Sequence, residues 1–154
     1  MAIKRILVPI DFSRDSVHAL AYASDLGAAL NAELRLLHVV DQTYLATAPE
    51  LMMANPKFAK LLEDQWRAAE AQMARIAADL GKKGRAVRPL MKRGSPAHVI
   101  VETAKRSGVD LIVMGTHGRT GLAHVLIGSV AERVVRTARC PVLTVRYSPR
   151  RRRP

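Results

Sequence analysis

The segment richest in chemistry is Gly115-Thr116-His117-Gly118-Arg119-Thr120-Gly121, which runs on through Ile127 and closes at Gly128-Ser129-Val130. Glycine at 115 and 118 permits positive φ and close backbone approach, so successive N–H groups can point into one concavity suited to phosphate oxygens. Gly128 and Ser129 open a helix, where N–H groups without intrahelical partners and the positive dipole end favour an anion, and the serine hydroxyl adds a donor. Two such elements on one loop point to a polyphosphate. The loop is not a Walker sequence, because no glycine-lysine-serine or glycine-lysine-threonine follows a suitably spaced glycine, and it is not G-x-G-x-x-G.

The other reactive side chains are scattered. Asp11 follows the first apolar run, placed either to meet a ligand or to cap the next helix beside Ser13. His117 and His124 could donate to phosphate or move protons, although the commoner fate of a loop histidine is solvation. His38, inside an apolar run, and His98, near a helix start, read as structural groups whose hydrogen bonds are satisfied. The single cysteine, Cys140, can form no intrachain disulfide and stands at no metal-ligand spacing from the five histidines. It reads as a small buried residue rather than a reactive thiol.

Hydrophobic periodicity supplies the frame for these groups. Five short apolar runs alternate with helical stretches, the pattern of a parallel α/β sheet. The first strand is expected over Ile3–Ile10, and Ser13 caps a helix carrying Val17, Leu20, Ala21, Ser24 and Ala28 that ends at Asn31. Leu34–Val40 reads as the second strand, and its consecutive apolar residues predict cover on both faces. Residues 41–55 carry no period and read as a surface loop. From Pro56 the stripe Leu62, Trp66, Ala69, Met73, Ile76, Leu80 predicts a helix facing the sheet and stopped by Gly81 and Gly84. Val87–Met91 reads as a third strand, and Pro89 assigns it to an edge. Ser95-Pro96 opens a helix closed by Gly108; Leu111–Met114 is the fourth strand; a last helix bearing Val130, Val134, Val135 and Ala138 leads to a fifth strand, Val142–Val145. In an open parallel sheet a ligand binds beyond the carboxyl ends of the strands, where the connections diverge, and that is where Asp11, Val39, Val40 and the glycine loop fall.

Composition excludes several classes. The chain has 154 residues, enough for one domain, with 49% hydrophobic and 25% charged residues, a globular rather than a disordered balance. Aromatic residues are 4%, too few for a base-stacking platform on single-stranded nucleic acid. No apolar run reaches the length needed to span a bilayer and residues 1–20 lack the order of a signal peptide, so a cytoplasmic location is expected. The net charge of +12 concentrates in Lys82–Arg93 and in the terminal stretch 147–154, whose four consecutive arginines predict a disordered tail. That tail could attract nucleic acid through phosphate neutralisation, but no motif for reading sequence accompanies it, so nucleic acid is not the expected partner.

Together these residues make the chain similar to the universal stress protein family over residues 1–146. The resemblance is carried by Ile6-Leu7-Val8-Pro9-Ile10-Asp11, Gly94-Ser95-Pro96, Asp110-Leu111-Ile112-Val113-Met114-Gly115-Thr116-His117-Gly118, Leu126-Ile127-Gly128-Ser129-Val130-Ala131-Glu132 and Cys140-Pro141-Val142-Leu143-Thr144-Val145. The family's ATP-binding branch is marked by G-x2-G-x9-G followed by Ser or Thr, and here Gly118 and Gly128 enclose nine residues before Ser129. The resemblance implies a flavodoxin-like sheet of order 3-2-1-4-5 with ATP across strands one and four, and a homodimer through strand five. Position by position, it implies that Pro9 and Asp11 line the adenosine and that Val39 or Val40 offers backbone groups to adenine. Gly115 would approach ribose and phosphates, and Gly118, Gly128, Ser129 and Val130 would cradle phosphate. Arg119 is suited to a terminal phosphate, and Mg²⁺ or Mn²⁺ would accompany the triphosphate with no protein ligand assigned.

The function expected on this reading is an ATP-binding regulator of the stress response that acts on an unknown protein partner. The competing reading is an enzyme, a slow nucleotide hydrolase or phosphotransferase using Asp11 with Arg119 or His117. No glutamate or glutamine is placed to orient an attacking water, which favours the binding module.

Overall fold

The computed structural model describes residues 2–43, 56–117 and 127–147. Nine elements alternate along it: β1 (Arg5–Pro9), α1 (Arg14–Leu30), β2 (Glu33–Asp41), α2 (Pro56–Lys82), β3 (Val87–Gly94), α3 (Pro96–Arg106), β4 (Leu111–Gly115), α4 (Ser129–Thr137) and β5 (Val142–Val145). The strands form one parallel sheet in the order β3-β2-β1-β4-β5.

Side-chain alternation along the strands splits the interior into two layers. Ile6, Val8, Ile10, Leu34, Leu36 and Val113 pack with Ala19, Leu20 and Ala23 of α1 and with Met73 and Leu80 of α2. On the other face Leu7, Leu37, Ile112 and Met114 pack with Ile100 and Ala104 of α3 and with Ala131 and Val134 of α4. Burial on both faces explains why the central strands read as unbroken apolar runs. The chain leaves β1 by a helix on the first face and β4 by a helix on the second, so the connections part between these two adjacent strands.

The helix boundaries follow their capping chemistry. Ser13 caps α1, its side chain accepting from the Ser16 N–H, and Asn31 closes the helix in the left-handed conformation at φ +52. Ser95 and Pro96 open α3 as read from the sequence, although the Ser95 side chain makes no capping bond. The cap of α4 is Gly128, and Ser129 is the first helical residue. Gly81 lies within α2, and the left-handed turn at its end is made by Gly84 at φ +73.

β3 is an edge strand, longer than the sequence suggested, with Pro89 opposite Leu36. Trp66 departs from the apolar stripe it was read into: it is half-buried, and the Arg93 guanidinium stacks over its ring at 4.5 Å. His98 is exposed on α3 rather than structural. Among the described residues, no helix is long and apolar enough to cross a membrane.

Candidate functional site

A cleft of about 820 Å³ lies over the carboxyl ends of β1, β2 and β4. Pro9, Asp11, Val39, Val40, Gly115, Gly128, Ser129 and Val130 all line it. Gly118 and Arg119 lie outside the described residues, as do His124 and most of the loop predicted over 41–55.

The wall at β1 is a tight turn. The Ile10 N–H donates to Leu37 O at 2.8 Å, continuing the ladder past the last residue of the strand. His38, buried in β2, places Nδ1 2.7 Å from Ile10 O and stacks its ring on Phe12 with centroids 4.6 Å apart. Phe12 stands at φ +65, a conformation that a bulky residue holds only where its surroundings fix it. His38 thus grips the residues on either side of Asp11. The Asp11 carboxylate accepts at Oδ1 from the Ser13 N–H at 3.0 Å and the Ser13 hydroxyl at 2.5 Å. Ser13 Oγ in turn accepts from Ser16 N–H, so Asp11 is coupled to the N-terminus of α1.

The opposite wall joins β4 to α4. The Gly128 N–H donates to Thr116 O at 2.7 Å, which ties the two ends of the intervening loop together. A Cβ on Gly128 would stand 3.2 Å from that carbonyl oxygen. Behind the loop root, Asp15 on the first turn of α1 accepts at Oδ2 from the His117 N–H at 3.1 Å and from the Thr116 hydroxyl at 3.2 Å.

Of the two freedoms glycine offers at 115, the structure does not use positive φ. Its missing side chain answers a packing demand instead: a Cβ there would lie 2.8 Å from both the carbonyl carbon and Cβ of Asp15. The glycine lets α1 close against the end of β4, which brings Asp15 within reach of Thr116 and His117.

The third wall is α2, which contributes Phe58, Leu61, Leu62, Gln65, Ala68, Ala69 and Gln72. From its core stripe alone this helix reads only as cover for the sheet. A signal was available, because Phe58, Leu61, Gln65, Ala68 and Gln72 step by three and four along a second stripe beside the core stripe. His38, Asp15 and Thr116 were also missed as site residues. No local spacing marks them, since their partners lie 28 to 102 residues away in the chain.

The cleft offers apolar walls for a flat ring, a fixed carboxylate at one end, and a helix N-terminus with loop N–H groups at the other, which suits an anionic ligand with an apolar or aromatic body. Among the described residues, no three His, Cys, Asp or Glu side chains are grouped to hold a metal ion. Cys140 stands apart from the cleft, half-buried, and burial raises its thiol above the ordinary cysteine value.

Residues 2–146 match the family model described as the universal stress protein family. The chain is 37% identical over 148 residues to universal stress protein MJ0531 of Methanocaldococcus jannaschii, covering 93% of this chain and 82% of that one. Its fold is similar to the solved structure of protein MJ0577 of the same organism, with TM-score 0.84, 32% identity and coverage of 97% and 99% of the two chains. It is also similar to a universal stress protein crystallised in complex with cAMP, with TM-score 0.63, 27% identity and coverage of 94% and 98%.

Proposed function

The chain belongs to the universal stress protein family, and from that premise we propose that it is a nucleotide-dependent regulator whose ligand is an adenine nucleotide, ATP first among them. The observation that carries this reading is one cleft that joins the Asp11 turn to the N-terminus of α4. Adenine lies against Pro9, Val39 and Val40, and its ring edge meets backbone groups at the end of β2. Asp11, locked by Ser13, accepts from a ribose hydroxyl. The phosphates lie toward Gly115, Gly128, Ser129 and Val130, with Gly118 and Arg119 on the loop between. The cAMP complex of a relative supports the adenine class.

Mg²⁺ or Mn²⁺ accompanies the triphosphate. Such an ion would be held mainly by phosphate oxygens and water. A carboxylate already committed to two donors from Ser13 suits holding a ligand better than abstracting a proton, which favours binding over turnover. Such a regulator works where ATP is held, in the cytoplasm.

The test is to denature purified protein, identify what is released by mass spectrometry, and titrate the emptied protein with ATP, ADP, AMP and cAMP. Bound or tightly titrating ATP is the expected result. Gly128→Val sets a branched side chain against Thr116 O and the phosphate end of the cleft, and should abolish binding with the circular dichroism spectrum retained. Unchanged affinity in that variant would remove the cradle from this loop.

We also propose a homodimer through β5, an edge strand. Pro141 O accepts from the Ile112 N–H of β4 and Val145 O from the Thr116 N–H just beyond it, so the alternation of a parallel ladder turns the backbone groups of Val142 and Thr144 outward. Val145 itself is buried in the core and is a poor probe. Thr144→Pro removes an outward N–H and should yield monomers by light scattering; a persistent dimer would move the interface elsewhere.

A further inference from the structure

Helix α1 carries two stripes. Ser16, Ala19, Leu20, Ala23 and Gly27 are buried against the sheet. Arg14, Val17, His18 and Ala21, spaced by three and four residues, share another face, where Val17 is 49% exposed. The chain leaving β5 crosses to this face: the Tyr147 ring, 37% exposed, meets the His18 ring edge-on with centroids 5.6 Å apart. Between helix and tyrosine runs a groove of about 420 Å³, lined by Phe12, Arg14, Val17, His18, Ala21 and Tyr147. It shares Phe12 with the nucleotide cleft and is otherwise a separate surface.

The charge at the groove is positive. Arg14 and Arg146 are exposed, and neither enters an ion pair among the described residues. Four arginines at 150–153 follow Tyr147 in the sequence, outside the described residues. The two carboxylates of α1 do not offset them. Asp15 turns to Thr116 and His117 at the end of β4, and Asp25 stands two helical turns beyond His18.

An apolar hollow with a cationic rim discriminates among occupants. The terminal stretch of this chain carries the same charge as Arg14, and a second copy seated groove to groove would bring two such rims together, so both are repelled. A phosphate backbone would answer the arginines but brings no apolar group to the space between Val17, Ala21 and Tyr147. A peptide with leucine or phenylalanine set among aspartates and glutamates satisfies both halves: its apolar side chains leave water, and its carboxylates meet the arginines.

We propose that the groove between α1 and Tyr147 is a docking site for a partner protein, entered by a short acidic segment that seats an apolar side chain against Val17, Ala21 and Tyr147 beside Arg14. The inference does not depend on the nucleotide reading. It places partner binding on a surface that a filled cleft leaves open.

The experiment is fluorescence anisotropy of the full chain with labelled synthetic peptides: one of glutamates interrupted by leucine and phenylalanine, one with serine replacing the apolar residues, and one with lysine replacing the glutamates. The first should bind at least about tenfold more tightly than the other two. Val17→Asp and Tyr147→Ser should each weaken it by about tenfold, and Arg14→Gln should flatten its salt dependence. Val135→Asp, the same change on the other face of the sheet, and Gly128→Val, at the nucleotide cleft, should leave it unchanged. Equal binding of the serine peptide would overturn the proposal, as would tighter binding of oligothymidine or of phosphatidylglycerol vesicles. Loss of peptide binding in Gly128→Val would assign the peptide to the cleft instead. Light scattering supplies the last arm: Val17→Asp should keep the wild-type mass, and its conversion to a monomer would show that a second copy covers the groove.

Discussion

The two ends of the sheet face the same problem and solve it differently. At the amino ends of the strands, protein groups answer one another. Asp110 Oδ2 accepts from the Lys4 and Arg5 N–H groups at 2.9 Å each, clasping the start of β1 to the segment entering β4. Arg5 and Arg35 reach the Ser107 carbonyl at the end of α3, and Arg5 reaches Gly108 O as well. These cations meet the negative end of the α3 dipole, where charge of that sign is favourable. At the carboxyl ends the elements draw apart, leaving the cleft, and the polar side chains are tied into the turns that wall it. The lesson is that a parallel sheet leaves open groups at both ends, and a closed end marks scaffold while a hollow end marks the place for a ligand.

This contrast is most easily broken at Gly115, where the hollow end is itself tightly packed. Gly115→Val drives a side chain into the Asp15 backbone, which cannot move aside cheaply. A loss of about 3 kcal/mol is expected in denaturant unfolding. Wild-type stability in this variant would mean that α1 is free to shift at the site.

The next largest effect is expected at the turn gripped by His38. His38→Leu leaves the Ile10 carbonyl without its side-chain donor and the left-handed Phe12 without its stack, at a cost of about 1–3 kcal/mol. Nucleotide affinity should fall further than melting temperature alone accounts for, because Asp11 is released. A variant that melts early but binds ATP normally would separate the turn from the site.

The smallest effect should come from the closed end. The backbone N–H groups of Lys4 and then Arg5 hold the Asp110 carboxyl below its ordinary value of 3.8. The stabilisation from this clasp is therefore complete above that value and drains away as pH falls through the lowered one. Asp110→Asn should remove this acid-range dependence, a change of well under about 1 kcal/mol at pH 7 for a half-buried carboxylate screened by solvent. Unfolding curves measured from pH 7 down to pH 2 give the comparison, and identical slopes in both proteins would strip the clasp of its role.

Local chemistry made much of the molecule readable from the chain. Helical and strand periods, the Ser13 cap, Pro96 at the first turn of α3 and Pro89 on an edge are each written within a few residues, so they survive without knowledge of the fold. Among the described residues, Pro9, Asp11, Val39, Val40, Gly115, Gly128, Ser129 and Val130 fall on one cleft for a related reason: strand ends and helix starts are local features, and a parallel sheet gathers them at one edge. Periodicity misled at α2, where Trp66 sits half-buried against Arg93 and a second stripe lines the cleft.

By itself the sequence determined the order and type of the elements, the edge position of β3 and the family to which the chain belongs, because each depends on residues close together or on a motif read in line. The tertiary structure alone decided that Gly115 serves packing rather than a turn, that His38 grips the residues flanking Asp11, and that Asp15 meets Thr116 and His117 at the end of β4. Those facts depend on how closely α1 approaches β4 and how β2 lies beside β1. Distances of that kind are set by the packing of whole layers, and no local run of residues encodes them.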